Sequence, residues 1–85
     1  MAITTINPAT GDTLATYQET SSAKVQRILE HSRRAFLSWR ECSFSERGKA
    51  FQRLAKRLRD RANELAGLMA LEMGKPVRQG RAEVE

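Results

Sequence analysis

The sequence predicts a mostly α-helical chain that opens with a short β-hairpin or a pair of strands. Three observations support this fold class. Two β-branched segments flank a turn near the start, apolar residues recur at helical spacing from residue 22 onward, and a helix stop signal lies near the end. At 85 residues with 40% hydrophobic residues, the chain forms at most one domain with a small core.

The strand signals lie in the first 17 residues. Strands are expected over about residues 4–7 and 13–17, which are rich in β-branched side chains. Residues 8–12 between them, Pro-Ala-Thr-Gly-Asp, are turn formers. Because an isolated hairpin is only marginally stable in water, this one is expected to extend a sheet or to pack on another element.

Two amphipathic helices are predicted next, over about residues 22–40 and 45–60. Ser21 or Ser22 can cap the first helix, and Ser43 with Glu46 forms a capping box ahead of the second. Each helix has one apolar face. The apolar residues are Val25, Ile28, Leu29, Ala35, Phe36 and Trp39 in the first helix and Phe51, Leu54, Ala55 and Leu58 in the second.

Two further helices are predicted, over about residues 61–73 and 77–85. The pattern alone does not decide whether the first of them continues the preceding helix. Gly74 followed by Pro76 is a stop signal, because glycine adopts the left-handed conformation and proline cannot continue the helix. The last pattern reaches Glu85 without a cap, so we expect the chain to be the front piece of a longer protein.

The charge balance is basic. Fifteen Lys and Arg residues against ten Asp and Glu give a formal net charge of +5, which raises nucleic acid and acidic membranes as partners. Lys49, Arg53, Lys56 and Arg57 form a basic stripe away from the apolar face of the second helix. Such a stripe can bind phosphates, but it is more often the solvated outer face of a helix packed on a larger body.

Residue types that carry chemistry are scarce. The five glycines are scattered, which argues against a phosphate-binding loop, and His31 and Cys42 are too few to form a zinc site. Cys42 follows Glu41, whose charge disfavours a thiolate, so a structural role is expected for it. A single cysteine, with no secretory signal and no apolar run long enough to span a membrane, predicts a cytoplasmic protein.

Glu72 is out of place electrostatically. It lies in the last turn of its predicted helix, where the helix dipole makes a carboxylate unfavourable. A positive charge nearby would compensate the Glu72 carboxylate, and either Lys75 or a bound cation could supply it. Charge alone favours Lys75.

Five segments, in order along the chain, resemble NAD(P)-dependent aldehyde dehydrogenases. Residues 6–12, Ile-Asn-Pro-Ala-Thr-Gly-Asp, resemble the family's I-N-P-A-T-G-E opening. Residues 35–40 resemble the end of its first helix, and residues 45–48, Ser-Glu-Arg-Gly, the start of its second. Residues 71–76 resemble its L-E-x-G-K-P segment, and residues 81–85 the start of the next helix. Within the family, the chain is similar to bacterial succinate-semialdehyde dehydrogenases.

The resemblance implies an α/β parent protein with a Rossmann-like coenzyme-binding domain, of which residues 1–85 are an incomplete N-terminal part. In this family a cysteine attacks the aldehyde, hydride passes to NAD or NADP, and a water activated by a glutamate releases the acid. These groups and the dinucleotide-binding turn lie downstream. No catalytic and no cofactor-binding residues are therefore expected in this chain, which should be inactive alone.

The resemblance also implies a structural monovalent cation. Its ligands in the family match main-chain oxygens of Thr5 and Ile6 and the carboxylate of Glu72, and a further ligand lies beyond residue 85. Oxygen ligands suit a hard cation. The implied partners are the remainder of the dehydrogenase chain and, for the parent, further copies in a homodimer or homotetramer. Neither nucleic acid nor a membrane is expected.

Two other interpretations remain open from the residues alone. One is a standalone basic helical module that uses the basic stripe to bind nucleic acid or an acidic partner. The other is a small helical protein that oligomerises through its apolar faces. A self-sufficient module is expected to end on a capped element, which favours the dehydrogenase fragment.

Overall fold

A computed structural model describes all residues, 1–85, as a two-stranded antiparallel sheet followed by four helices. The elements are β1 (Ala2–Ile6), β2 (Thr13–Gln18), α1 (Ser22–Trp39), α2 (Phe44–Asp60), α3 (Ala62–Met73) and α4 (Val77–Val84). The expected fold class, mostly helical with an N-terminal hairpin, is confirmed. Strand β1 begins two residues earlier than the predicted segment.

The hairpin is closed by the turn that the sequence indicates. The amide of Asn7 donates to the carbonyl of Asp12 over 2.8 Å, and the amide of Gly11 donates to the carbonyl of Asn7 over 2.7 Å. The side-chain oxygen of Asn7 also accepts from the amide of Ala9, as asparagine often does in turns. Gly11 adopts a φ of 81°, which only glycine reaches without strain.

The ladder between β1 and β2 is interrupted at one position. Thr5 pairs with Ala15 and Ile6 pairs with Thr13, so Leu14 is an extra residue on β2. This is a β-bulge, which bends the strand and leaves the extra residue outside the regular pairing. The bulge lies at the end of β1 that leads into the turn.

Helices α1 and α2 begin at serine caps. The hydroxyl oxygen of Ser21 accepts from the amide of Lys24 over 3.3 Å, which decides between the two candidate cap residues. In α2 the hydroxyl oxygen of Ser43 accepts from the amide of Glu46 over 3.1 Å, and the amide of Ser43 donates to the Glu46 carboxylate over 2.9 Å. The predicted capping box is thus present.

A single residue separates α2 from α3. Arg61 leaves helical geometry, with φ of −109° and ψ of 16°, and ends one helix while it precedes the next. Its side chain turns to the first turn of α3, where Nε and Nη2 donate to the two carboxylate oxygens of Glu64 over 2.9 and 2.7 Å. The apolar run that the sequence left undivided is therefore two helices.

Helices α3 and α4 form the packed part of the molecule. Gly74 ends α3 in the left-handed conformation, with φ of 69°, as the stop signal predicts. Helix α4 then folds back so that Gly80 lies against Ala66. Ala66 and Gly80 are the two buried residues of the chain. Lys75 and Glu83 form an ion pair across the joint.

The molecule is a thin layer with Cα extents of 48 × 35 × 13 Å. Helices α1 and α2 contribute no buried residue, and their apolar faces remain open to solvent. Phe51 is 63% exposed and Ile28 is 52% exposed. None of the helices has the length and apolar character needed to cross a lipid bilayer.

Candidate cation site between the hairpin and helix α3

The hairpin turn and the end of α3 lie in contact. Strand β1 packs beside α3, and a Cβ placed on Gly74 would lie 3.1 Å from Cγ of Pro8. Glycine at this position therefore allows the proline ring to approach the backbone. Two of the segments that carry the family resemblance, far apart in sequence, meet at this point.

Glu72 lies at this junction without a partner. Its side chain is half-buried, forms no hydrogen bond or ion pair within the chain, and shares the last turn of α3 with no basic residue. The expectation that Lys75 balances this charge is wrong. Lys75 pairs with Glu83 instead, because α4 folds back on α3 and brings the Glu83 carboxylate to the lysine ammonium.

Thr5 and Ile6 flank the irregular step of the β-ladder. Thr5 is half-buried, its hydroxyl donates to the carbonyl of Ala15 over 3.5 Å, and Ile6 is 52% exposed. No group of three or more His, Cys, Asp or Glu side chains gathers anywhere in the chain in a way that could hold a metal ion. Glu72 is the single carboxylate in the last turn of α3, the end of the helix that lies against the hairpin.

The other candidate residues are dispersed. Cys42 is half-buried, and its thiol donates to the carbonyl of Ser38 over 3.8 Å, a contact within the turn that ends α1. His31 is exposed on α1. Within the basic stripe of α2, Lys56 forms an ion pair of 2.7 Å with Asp60. The stripe is therefore less positive than the sequence suggests.

The sequence alone assigns no functional role to Arg47. Its guanidinium lies 4.6 Å from the centroid of the Phe44 ring, one turn away on α2. Its Nε is the one buried side-chain nitrogen or oxygen in the structure that has no hydrogen-bond partner. Buried polar groups are nearly always paired, and this nitrogen is an exception within residues 1–85. The i, i+3 spacing of Phe44 and Arg47 was the available signal.

Two groups at the α2–α3 junction have shifted pKa values. The hydrogen bonds from Arg61 lower the pKa of the Glu64 carboxyl below its ordinary value, and the attraction between the charges acts in the same direction. The same contacts raise the pKa of Arg61. Both side chains are exposed, so the pair fixes local geometry more than it contributes to stability.

The whole chain, residues 1–85, matches the model of the aldehyde dehydrogenase family. The chain therefore belongs to this family, and the resemblance of its five segments is confirmed.

Several curated relatives are similar to this chain and carry the name succinate-semialdehyde dehydrogenase. The chain is 44% identical, over 84 residues, to a probable NADP-dependent succinate-semialdehyde dehydrogenase of Synechocystis. It is 36% identical over 80 residues to an NADP-dependent succinate-semialdehyde dehydrogenase of Deinococcus radiodurans and 37% identical over 79 residues to the NAD(P)-dependent enzyme Sad of Escherichia coli. These matches cover 99%, 94% and 93% of the chain but only 18%, 17% and 17% of the relatives, in their N-terminal region.

Proposed function

We propose that these residues form the N-terminal part of the coenzyme-binding domain of an NAD(P)-dependent aldehyde dehydrogenase that oxidises succinate semialdehyde to succinate. The observation that carries this proposal is the family match over residues 1–85, together with three relatives that share this substrate in their names. NADP is the expected cofactor, because two of the three relatives are named for NADP and the third is named for NAD(P). The parent is a cytoplasmic homodimer or homotetramer in this proposal.

The role of the segment in that enzyme is structural. Its accessible surface is 7353 Å², whereas a compact protein of 9.6 kDa exposes about 5,100 Å². The excess of roughly 2,300 Å² is larger than the ~800 Å² that one partner buries in a standard protein interface. We infer that the remainder of the dehydrogenase chain covers this excess, and that the segment alone is inactive.

The apolar faces of α1 and α2 supply much of that surface. Trp39, at the end of α1, lines an apolar groove with Ala50, Phe51 and Leu54 of α2. Trp39 is 40% exposed and Leu54 is 49% exposed. Complete burial of a fully exposed side chain of this kind contributes about 1.5–3 kcal/mol, so covering the part that is still exposed contributes a fraction of that for each residue. This supports a large folding contribution from the rest of the chain.

Glu72 is proposed to bind a structural monovalent cation in the complete enzyme, with main-chain oxygens of Thr5 and Ile6. The carboxylate without a partner, beside a strand whose pairing is irregular at these two residues, supports this site. The expected result is that potassium chloride raises the unfolding temperature of the full-length enzyme relative to choline chloride, and that Glu72→Gln removes the difference. An equal response to potassium in Glu72→Gln would contradict the site.

A chimera tests the structural role of the segment in a dehydrogenase of this family. This chain replaces the matching 84-residue segment of the Synechocystis relative, and the reduction of NADP+ to NADPH is measured with succinate semialdehyde as the substrate. The chimera should keep activity, and the 85-residue chain alone should have none. A chimera that folds but does not oxidise succinate semialdehyde would contradict the proposal.

Two variants of the chimera provide a matched control. Leu54→Asp places a charge on the apolar face of α2 and should prevent assembly, because an unpaired buried charge is strongly unfavourable. Lys49→Asp makes a charge change on the opposite face and should leave the chimera folded and active. The yield of soluble protein and the NADPH assay separate the two cases.

A further inference from the structure

Arg47 begins the apolar face of α2. Phe51, Leu54 and Leu58 follow it at i+4, i+7 and i+11, positions that share one side of an α-helix. These three side chains are 40–63% exposed, and no element of this chain covers them. When the remainder of the dehydrogenase covers this face, it also covers Arg47.

The Arg47 side chain is already held in place before any partner arrives. Its guanidinium lies 4.6 Å from the ring of Phe44, an aromatic residue that is 85% exposed. The capping box between Ser43 and Glu46 fixes the turn that carries both residues. An arginine stacked on an aromatic ring presents its N–H groups at its edge, where a carboxylate can accept two of them.

No carboxylate of this chain supplies the missing acceptor. Arg47 forms no ion pair, and its Nε is buried without a partner. The adjacent Glu46 is engaged by the amide of Ser43. Most other acidic residues are also paired: Glu19 with the N-terminus, Glu41 with Arg40, Asp60 with Lys56, Glu64 with Arg61, Glu83 with Lys75, and Glu85 with Arg59.

We propose that Arg47 and Phe44 form the binding site for a carboxylate from the part of the dehydrogenase chain beyond residue 85. This inference rests on the proposed function, since it requires that this part of the chain covers α2. A cation enclosed at an apolar interface needs an anionic partner, because burial of an unpaired charge is costly. The segment's net charge of +5 is complementary to an acidic partner. This binding site would fix the position of α2 against the rest of the dehydrogenase.

The test uses the full-length dehydrogenase and three variants. Arg47→Met keeps a long side chain but removes the charge, and Arg47→Lys keeps the charge but removes the Nε–H and the planar fork. Arg53→Met is the matched control, because Arg53 is exposed on another side of the same helix and forms no ion pair. The readout is the unfolding temperature at a fixed heating rate, measured separately from NADPH formation.

Both Arg47 variants should lower the unfolding temperature by roughly 2–3 °C, while Arg53→Met changes it by less than about 1 °C. Equal effects of Arg47→Met and Arg53→Met would overturn the proposal, as would an Arg47→Lys protein that matches the wild type. If Arg47→Met does not fold, Arg47→Lys decides. A stable full-length chain that forms neither NADH nor NADPH with succinate semialdehyde contradicts the proposed function, and the unfolding temperatures of the Arg47 variants can still be compared.

A crystal structure of the full-length enzyme tests directly whether a carboxylate binds Arg47. The expected result is a carboxylate oxygen from a residue after position 85 within hydrogen-bond distance of Arg47 Nε, about 2.7–3.2 Å. A peptide carbonyl or solvent at that position would overturn the ion pair. If an acidic residue lies there, a double variant that swaps it with Arg47, so that each position carries the other's residue, should restore the wild-type unfolding temperature.

Discussion

Gly80 of α4 lies against Ala66 of α3 so closely that a Cβ on Gly80 would be 3.2 Å from Ala66 Cα and 3.3 Å from Ala66 Cβ. Ala66 is fully buried by this contact. The approach of the two helices therefore depends on the small size of both residues. It is the closest equivalent of a hydrophobic core within these 85 residues.

We expect Gly80→Leu to lower the free energy of unfolding by about 1–3 kcal/mol, because the new side chain has no room against Ala66. Gly48→Leu is the control, since a Cβ on Gly48 meets nothing within 4 Å. That change should stabilise α2 by up to about 1 kcal/mol, as glycine is a poor helix former. Urea unfolding of each variant, followed by far-UV circular dichroism, measures both free energies of unfolding. Equal effects of the two changes would contradict the Gly80–Ala66 contact.

Gly74→Ala should be more destabilising than Gly11→Ala. Both glycines have positive φ, so alanine costs about 1 kcal/mol or more at either position. At Gly74 the new methyl group would also lie 3.1 Å from the ring of Pro8, whereas at Gly11 it meets nothing within 4 Å. The difference should shrink when Pro8→Ala is added to Gly74→Ala. A double-mutant cycle on unfolding free energies measures this coupling, and a value of zero would argue against the contact.

Ser43→Ala should cost about 1 kcal/mol, because the change removes the acceptor for the amide of Glu46 at the start of α2. Ser45→Ala is the matched control two residues along, where the hydroxyl forms no hydrogen bond in the structure. Hydrogen exchange of the Glu46 amide provides the local readout. It should speed up in Ser43→Ala and stay unchanged in Ser45→Ala; faster exchange in both would indicate general fraying instead.

The Arg61–Glu64 pair predicts a small dependence of stability on pH. The pKa of Glu64 is lowered in the folded chain from an ordinary value of 4.5, so the pair stabilises the fold above that pH. The contribution is lost as the pH falls through the lowered value. Glu64→Gln should therefore be less stable than the wild type at about pH 7, and the difference should disappear as the pH falls below the lowered pKa of Glu64.

Glu30→Gln is the control for this pH prediction, because Glu30 is exposed on α1 and forms no ion pair. The difference between Glu30→Gln and the wild type should not follow the same profile. Unfolding followed by far-UV circular dichroism, repeated across the pH range, measures the stability of both variants. A Glu64→Gln protein that tracks the wild type at every pH would show that the pair does not contribute.

Local features were predictable from the sequence because their physics is local. The capping box needs only Ser43 and Glu46 at the right spacing, and the end of α3 needs only Gly74 ahead of Pro76. The hairpin was predictable for the same reason, since its turn residues and β-branched segments adjoin. The family followed from five such segments in order.

Features that depend on packing were not predictable. Lys75 was expected to balance Glu72, but the fold of α4 onto α3 gives it Glu83 instead. The break at Arg61 was undecided, because the residue is compatible with a helix and leaves it only in context. The unpaired Nε of Arg47 is also invisible in a sequence, since it depends on the side chain's surroundings.

The 13 Å thickness of the molecule has a consequence for biosynthesis. If the proposed dehydrogenase is as long as the Synechocystis relative, of which this segment covers 18%, synthesis of the remaining chain takes tens of seconds at about 5–20 residues per second. During that time the layer has no covering, and side chains such as Phe51 are open to chaperones and to other nascent chains. Chaperone binding to ribosome-held chains should therefore peak at intermediate lengths and decline once the covering segments emerge.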